Sequence, residues 1–332
     1  MSAPLVIEKD RSLVTRLSTV FARNPVLGPG LTLLVAVIVF SAATTTFFSA
    51  DNFSLIIQQS LVIGTLALGQ TLIILTAGID LANAAIMVFG TLLITKLATG
   101  GWPSAGALVA GMLATMLVGL LSGALVTRLR LPPFIVTLGM LAVMTAVANI
   151  YSEGTSWPVP DGLLQVMGTT RYLFGQIPVT FGMLFAVVLY LVVGIVLTRT
   201  AWGRHVYAVG NDAEAARLTG IRVGRVLVSV YALAGLIYGC AAWMALGRTP
   251  SADPNAYQTG NLDAITAVVI GGTSLFGGRG GVAGTAIGAL IVAVLRSGLT
   301  QMGIDSNYQN LATGALVIAA VAVDQATRRR AR

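Results

Sequence analysis

Charge is what this sequence lacks most. Only 10% of its 332 residues are Asp, Glu, Lys or Arg, where a soluble domain carries about 25%. Hydrophobic residues make up 56% and the mean hydropathy is +0.86. That balance excludes an ordinary soluble enzyme and leaves a polytopic membrane protein whose solvent is the lipid bilayer. Cys240 is the one cysteine, so no intrachain disulfide can form. His205 is the one histidine, and with a single distant cysteine it makes no metal site. The only lysines are Lys9 and Lys96, and neither stands in the GxxxxGK[ST] setting of a phosphate-binding loop. ATP hydrolysis, if this chain depends on it, belongs to another chain. No catalytic constellation is visible, so the chain is read as a non-enzyme without a cofactor of its own.

What the sequence has in quantity is long apolar runs. Runs of about 17–25 residues can span a bilayer. They fall near 29–48, 54–77, 81–98, 104–127, 132–151, 178–198, 226–246, 262–276, 283–302 and 307–325. The expected fold is therefore all-α and polytopic, with about ten transmembrane helices. The run at 262–276 is short and ends in GGTSLFGGRGG, which makes it a candidate re-entrant or broken span. Irregular backbone at that depth survives only where protein or a watery cavity covers it. Residues 1–28 read as a segment preceding a retained first span, 29–325 as the membrane domain and 326–332 as a basic tail. Three glycine pairs, Gly119/Gly123, Gly235/Gly239 and Gly284/Gly288, have the GxxxG spacing that lets helix backbones approach.

The net charge of +8 would suit nucleic acid, but its distribution does not. The cations cluster at the edges of apolar runs. With both termini on the inner side, sixteen of the twenty Lys and Arg residues fall in inner segments, as the positive-inside bias requires. Only Arg171 and Arg248 fall in outer loops. The stretch 199–225 is then cytoplasmic, and it carries seven charged side chains in 27 residues.

Within it stands GNDAEAARLTGIRV (210–223). Asn211 is a suitable N-cap, with Glu214 three residues on as in a capping box. DAEAARLT supplies helix formers and Gly220 a C′ stop. Ala213, Ala216 and Leu218 give a small apolar side. Arg217 and Arg222 lie near the C-terminal end, which favours cations. So short a helix is marginal alone. It docks either on its own membrane domain or in a groove of a cytosolic partner.

Four stretches carry a resemblance: LTAGIDL (75–81), GRHVYAVGNDAEAARLTGIRV (203–223), LDAITAVVIGGTSLFGGRGGVAGTAIGALI (262–291) and YQNLATGALVIAAVAVD (308–324). Together they cover most of the chain from about residue 30. The sequence resembles the permease subunits of bacterial ABC importers for monosaccharides of the ribose, xylose, arabinose and fructose type. The resemblance implies an ABC-importer permease fold in the bacterial inner membrane. It also implies a separate ATPase subunit holding ATP and Mg, an extracytoplasmic sugar-binding protein, and a second permease copy, most simply a homodimer. It makes the segment with Asn211, Glu214, Ala215, Ala216, Arg217, Gly220 and Ile221 the helix that contacts the ATPase. One departure is that GIDL is followed here by Ala82-Asn83-Ala84, where such permeases continue Ser-Val-Gly.

Polar residues at membrane depth are functional candidates, since each carries an insertion cost. Asp80 and Asp263 each stand where they would cap a following helix or line a path. Gln59, Gln70, Asn83, Asn149 and Gln309 are amides that would answer the donor and acceptor hydroxyls of a sugar, or hydrogen-bond between helices. Tyr308 and Phe134 would stack on a sugar face or anchor helix ends. Arg296 would pair with Asp305 or snorkel. The alternative reading is an ion-coupled secondary carrier working without an ATPase, with Asp80 and Lys96 as couplers.

Overall fold

The computed structural model describes residues 26–160, 162–173 and 177–330. The segment bearing Lys9, Arg11, Arg16 and Arg23 lies outside the described residues, as does Arg332. Twelve α-helices occur among the described residues. They are α1 (Leu27–Ala43), α2 (Ala50–Leu75), α3 (Asn83–Thr99), α4 (Ser104–Arg128), α5 (Pro133–Ser152) and α6 (Phe181–Arg199). After these come α7 (Ala201–Asn211), α8 (Ala213–Leu218), α9 (Val223–Arg248), α10 (Gly260–Ile270), α11 (Val282–Gln301) and α12 (Ser306–Arg330). All but α7 and α8 fall on the ten apolar runs. Six of them are long and apolar enough to cross a membrane, while α1, α3 and α10 are shorter apolar helices.

Local chemistry sets the boundaries. Ser49, Thr180 and Thr200 cap α2, α6 and α7 through their hydroxyls. Pro133 opens α5, where its missing N–H costs nothing. The expectation of an all-α chain needs one addition. Thr170–Leu173 (β2) and Ile177–Thr180 (β3) pair as a hairpin. Trp157–Pro158 (β1) pairs with Ser251–Ala252 (β4), joining the two long loops at one end of the bundle. The β-branched and aromatic residues Thr170, Tyr172, Ile177, Val179 and Thr180 were the available signal.

Helices α2 and α9 form the core. Helices α4, α5 and α6 lie around them and leave most of their residues at least partly exposed, as a surface made for lipid does. The most extensive crossing is α4 against α9, built by two of the expected glycine pairs. A Cβ on Gly119 would lie 2.3 Å from the Tyr231 carbonyl oxygen, and one on Gly235 2.5 Å from that of Thr115. The third pair packs α11 on α10, where a Cβ on Gly288 would stand 1.9 Å from the Ala267 oxygen. Only glycine permits such backbone contact.

Two spans are broken. After α2 the chain turns at Ala77 (φ 60°) and runs as irregular backbone before α3 begins. The eleven-residue α10, about 16 Å long, gives way to an irregular turn at 271–281. This turn reaches back to the start of α11 beside the end of α2, where the Gly278 N–H donates to the Leu75 carbonyl (3.0 Å). The run expected at 262–276 is therefore helical for only part of its length. The two breaks meet where a Cβ on Gly277 would stand 2.8 Å from the Ala77 nitrogen, and at the other end of α10 the Asn261 side chain donates to the Leu81 carbonyl (3.1 Å).

Candidate functional site

Irregular backbone inside an apolar bundle must find partners for every N–H and C=O. Around residues 78–82 side chains supply them. Gln70 on α2, its amide oriented to satisfy both atoms, donates to the Asp80 carbonyl (3.0 Å) and accepts from the Asp80 N–H (3.1 Å). Thr137 donates to the Ile79 carbonyl (2.9 Å). The Asp80 carboxylate accepts from the Ala82 N–H (2.8 Å) and from the Tyr238 hydroxyl (3.1 Å). The amides of Asn83 and Gln70 lie 3.1 Å apart. Asp80, Gln70 and Asn83, expected as path residues, thus form a buried clamp that holds the break in shape. Asp80 caps the turn ahead of α3 and is buried. We predict that Asp80→Asn, which keeps an acceptor, is inserted and folds normally. Asp80→Ala should lose about 2 kcal/mol through the unpaired Ala82 and Tyr238 groups, as a thermal-shift comparison of purified variants would show.

A cavity of about 580 Å³ lies at the end of the bundle where α9 finishes and α12 begins. Gln59 and Ser60 of α2 line it, together with Arg248, the 255–260 turn, Asp263 of α10, Arg296 and Thr300 of α11, and Gln309 and Asn310 of α12. Its volume suits a small ligand, and its amides both donate and accept. Gln59, Asp263 and Gln309, expected as path residues, line this cavity. The Gln309 amide nitrogen donates to Thr300 Oγ1 (3.1 Å) and the Ile304 carbonyl (2.9 Å), which stiffens the rim. A second space of about 280 Å³, walled by α3 and α5, abuts the same 255–258 turn.

Two expectations are corrected. Asp263 does not cap α10; it stands within the first turn, and its carboxylate accepts from Arg296 Nη2 at 2.7 Å. Arg296 is therefore paired across two helices and not with Asp305, whose carboxylate accepts from the Asn307 N–H (2.8 Å). The same guanidinium reaches Thr259 Oγ1 (3.2 Å) and Asn310 Oδ1 (3.4 Å), so it ties α10, α11 and α12 together in the cavity wall. Asn149 donates to Thr145 in its own helix, and Tyr308 is 67% exposed; neither lines the cavity. Phe134 is likewise exposed, on the outside of α5. Asn255, Gln258 and Asn310 were missed because polar residues in connecting turns look like ordinary loop chemistry.

At the opposite, arginine-rich end, α8 is the expected short helix with different punctuation. Asn211 ends α7. Asp212 is the true N-cap, accepting from the Glu214 and Ala215 N–H groups (2.9 Å each). The capping box drawn from Asn211 fails because the chain continues as helix up to that residue. The stop is as expected. Gly220 (φ 88°) donates to the Arg217 carbonyl and Ile221 to that of Ala216 (3.0 and 3.1 Å), a Schellman closure. Ala216 is buried against its own domain, whereas Leu218 is 78% exposed, so the two do not share one apolar side. Leu218 and Ala215 form the outward face. Beside them the Arg217 guanidinium hydrogen-bonds the Glu214 carboxylate, which holds that carboxyl below its ordinary range.

The groups a secondary carrier would use are otherwise engaged. The Lys96 ammonium sits over the Trp157 ring, 4.4 Å from its centroid, and Asp80 belongs to the clamp described above.

Residues 52–321 match the family model described as "Branched-chain amino acid transport system / permease component". The chain is 42% identical over 327 residues to a fructose import permease protein of Rhizobium meliloti, covering 96% of this chain and 91% of that protein. It is 36% identical to a ribose import permease protein of Bacillus subtilis, covering 90% and 92%. With a xylose transport system permease protein of Escherichia coli the identity is 30%, covering 90% and 91%. No solved structure matches. The chain belongs to this family of transport-system permease components, and is a multi-pass membrane subunit of an ABC import system.

Proposed function

We propose that the chain carries a monosaccharide or small polyol across the bacterial inner membrane, using energy from a separate ATPase subunit. A binding protein on the outer side delivers the sugar, and both termini lie inside. Two copies of the chain assemble side by side. The observation that carries this reading is the cavity of about 580 Å³ lined by Gln59, Asn255, Gln258 and Asn310. Amides that donate and accept suit a neutral polyhydroxylated ligand, while Asp263 and Arg296 in the wall pair with each other and Arg248 adds one further cation. The names of the relatives support sugar as cargo. The arginine-rich end fits the inner side.

On this reading Leu218 of α8 enters a groove of the ATPase, with Ala215 allowing close approach and Glu214 and Arg217 setting register. Leu218→Asp tests it. The variant should insert normally, because Leu218 touches little of its own chain, yet it should hold the ATPase about tenfold more weakly. ATP-driven uptake of labelled fructose, ribose and xylose by vesicles should fall in parallel. Ala216→Arg is the poorer test, since a buried arginine would disturb the fold itself. Unchanged ATPase binding and uptake in Leu218→Asp would remove α8 from the coupling role. Uptake by the chain without ATP would replace the proposal with a secondary carrier.

A further inference from the structure

The docking helix and the cavity lie at opposite ends of the bundle, and one continuous set of contacts joins them. It begins at α7, which leads directly into Asp212, the cap of α8. Tyr207 on α7 donates its hydroxyl to the Gly280 carbonyl (2.9 Å). One turn on, three backbones meet with no side chain between them. A Cβ on Gly210 would stand 1.7 Å from the Leu75 carbonyl oxygen and 2.7 Å from the Gly278 nitrogen. One on Gly278 (φ 71°) would stand 2.9 Å from the Asn211 Cα. The end of α7, the end of α2 and the 277–280 turn are thus pressed into one junction, placed where both broken spans have their irregular halves.

From the junction the 271–281 turn leads back to α10. It is folded tightly on itself, the Ser274 N–H donating to the Arg279 carbonyl (3.0 Å). Helix α10 rests on α11 through the backbone contacts at Gly271 and Gly288. Its far end carries Asp263 into the cavity wall, where Arg296 meets it. A short helix held through close-packed backbone transmits displacement rather than absorbing it.

We infer that Tyr207 and the Gly210–Gly278 junction are positioning elements for transport, making α7, the 271–281 turn and α10 one lever by which the ATPase at α8 moves Asp263 in the cavity. This rests on the proposed docking role of α8. The physical requirement is that both ends bias the same two-state element. Coil in the turn alone would lose the motion, and the hydrogen bond from Tyr207 together with the glycine contacts prevents that.

The test uses the whole complex, purified with its ATPase and placed in lipid nanodiscs. The reporter is Ser306→Cys at the cavity rim in a Cys240→Ala background, and its maleimide labelling rate is read with and without a non-hydrolysable ATP analogue. No sugar is needed. The rate should respond to the nucleotide in the reporter chain. Adding Tyr207→Phe should shrink that response about fivefold, the weight of one lost hydrogen bond. Gly278→Ala should abolish it, and both variants should still co-purify with the ATPase. A full response in both variants overturns the inference. So does loss of the ATPase from Tyr207→Phe, which would make the junction a docking element only. If the reporter chain itself ignores the nucleotide with the ATPase bound, the proposed function has failed and the inference falls with it.

Discussion

Gly235→Leu is expected to be the most damaging single change in the membrane domain. Even a methyl group at this position would meet the Thr115 carbonyl oxygen at 2.5 Å and the Met116 Cα at 3.1 Å. Both obstacles are backbone on a neighbouring helix, so no rotamer change clears them. Overpacking of this kind costs about 3 kcal/mol or more, and here it would force α4 away from α9, the most extensive helix pair in the fold. The expected result is little chain recovered in mild detergent and a lowered melting temperature for what remains. Gly139→Leu is the control, because a Cβ there meets nothing within 4 Å. It lies inside α5, so leucine should hold the helix at least as well as glycine does. Equal recovery of the two variants would mean that α4 and α9 do not cross through their glycines.

Asp263→Ala should produce the second large loss. Asp263 is nearly buried, and its side chain answers an arginine that is itself only 28% exposed. Removing one member of such a pair leaves a charge without its partner and costs about 3 kcal/mol. Replacing both members with apolar groups is far milder, so Asp263→Ala combined with Arg296→Met should regain most of the melting temperature. Transport should not return with it, since the double variant gives up the tie among α10, α11 and α12 and two polar groups of the cavity wall. Stability regained without uptake is therefore the signature of a functional pair. Uptake regained together with stability would reduce the pair to a structural brace and leave the cavity's amides to handle the ligand alone.

Much of the architecture was readable along the chain because a bilayer imposes a simple rule. Backbone groups in lipid must be satisfied locally, so apolar runs become helices, and all ten runs did. The GxxxG pairs announced close helix contacts for the same local reason, and Gly220 announced the end of α8. What the sequence could not give was the partner of each contact. Arg296 lies nine residues before Asp305 but 33 after Asp263, and the fold chose the distant residue. Ala216 and Leu218 look alike in a six-residue helix, yet docking of α8 on its own domain buries one and exposes the other.

The amides show the same division. Gln59, Gln70, Asn83, Asn149 and Gln309 are equivalent in sequence, each a neutral donor and acceptor in an apolar run. Sequence by itself determined that this chain lives in a membrane, where its apolar runs fall, where helices touch through glycine, and that a charged helix-bearing segment interrupts the bundle. Only the tertiary structure decided which amides clamp a broken span and which face a cavity. Composition and periodicity are properties of one segment in its solvent, whereas a cavity exists only where distant segments fail to fill the space between them.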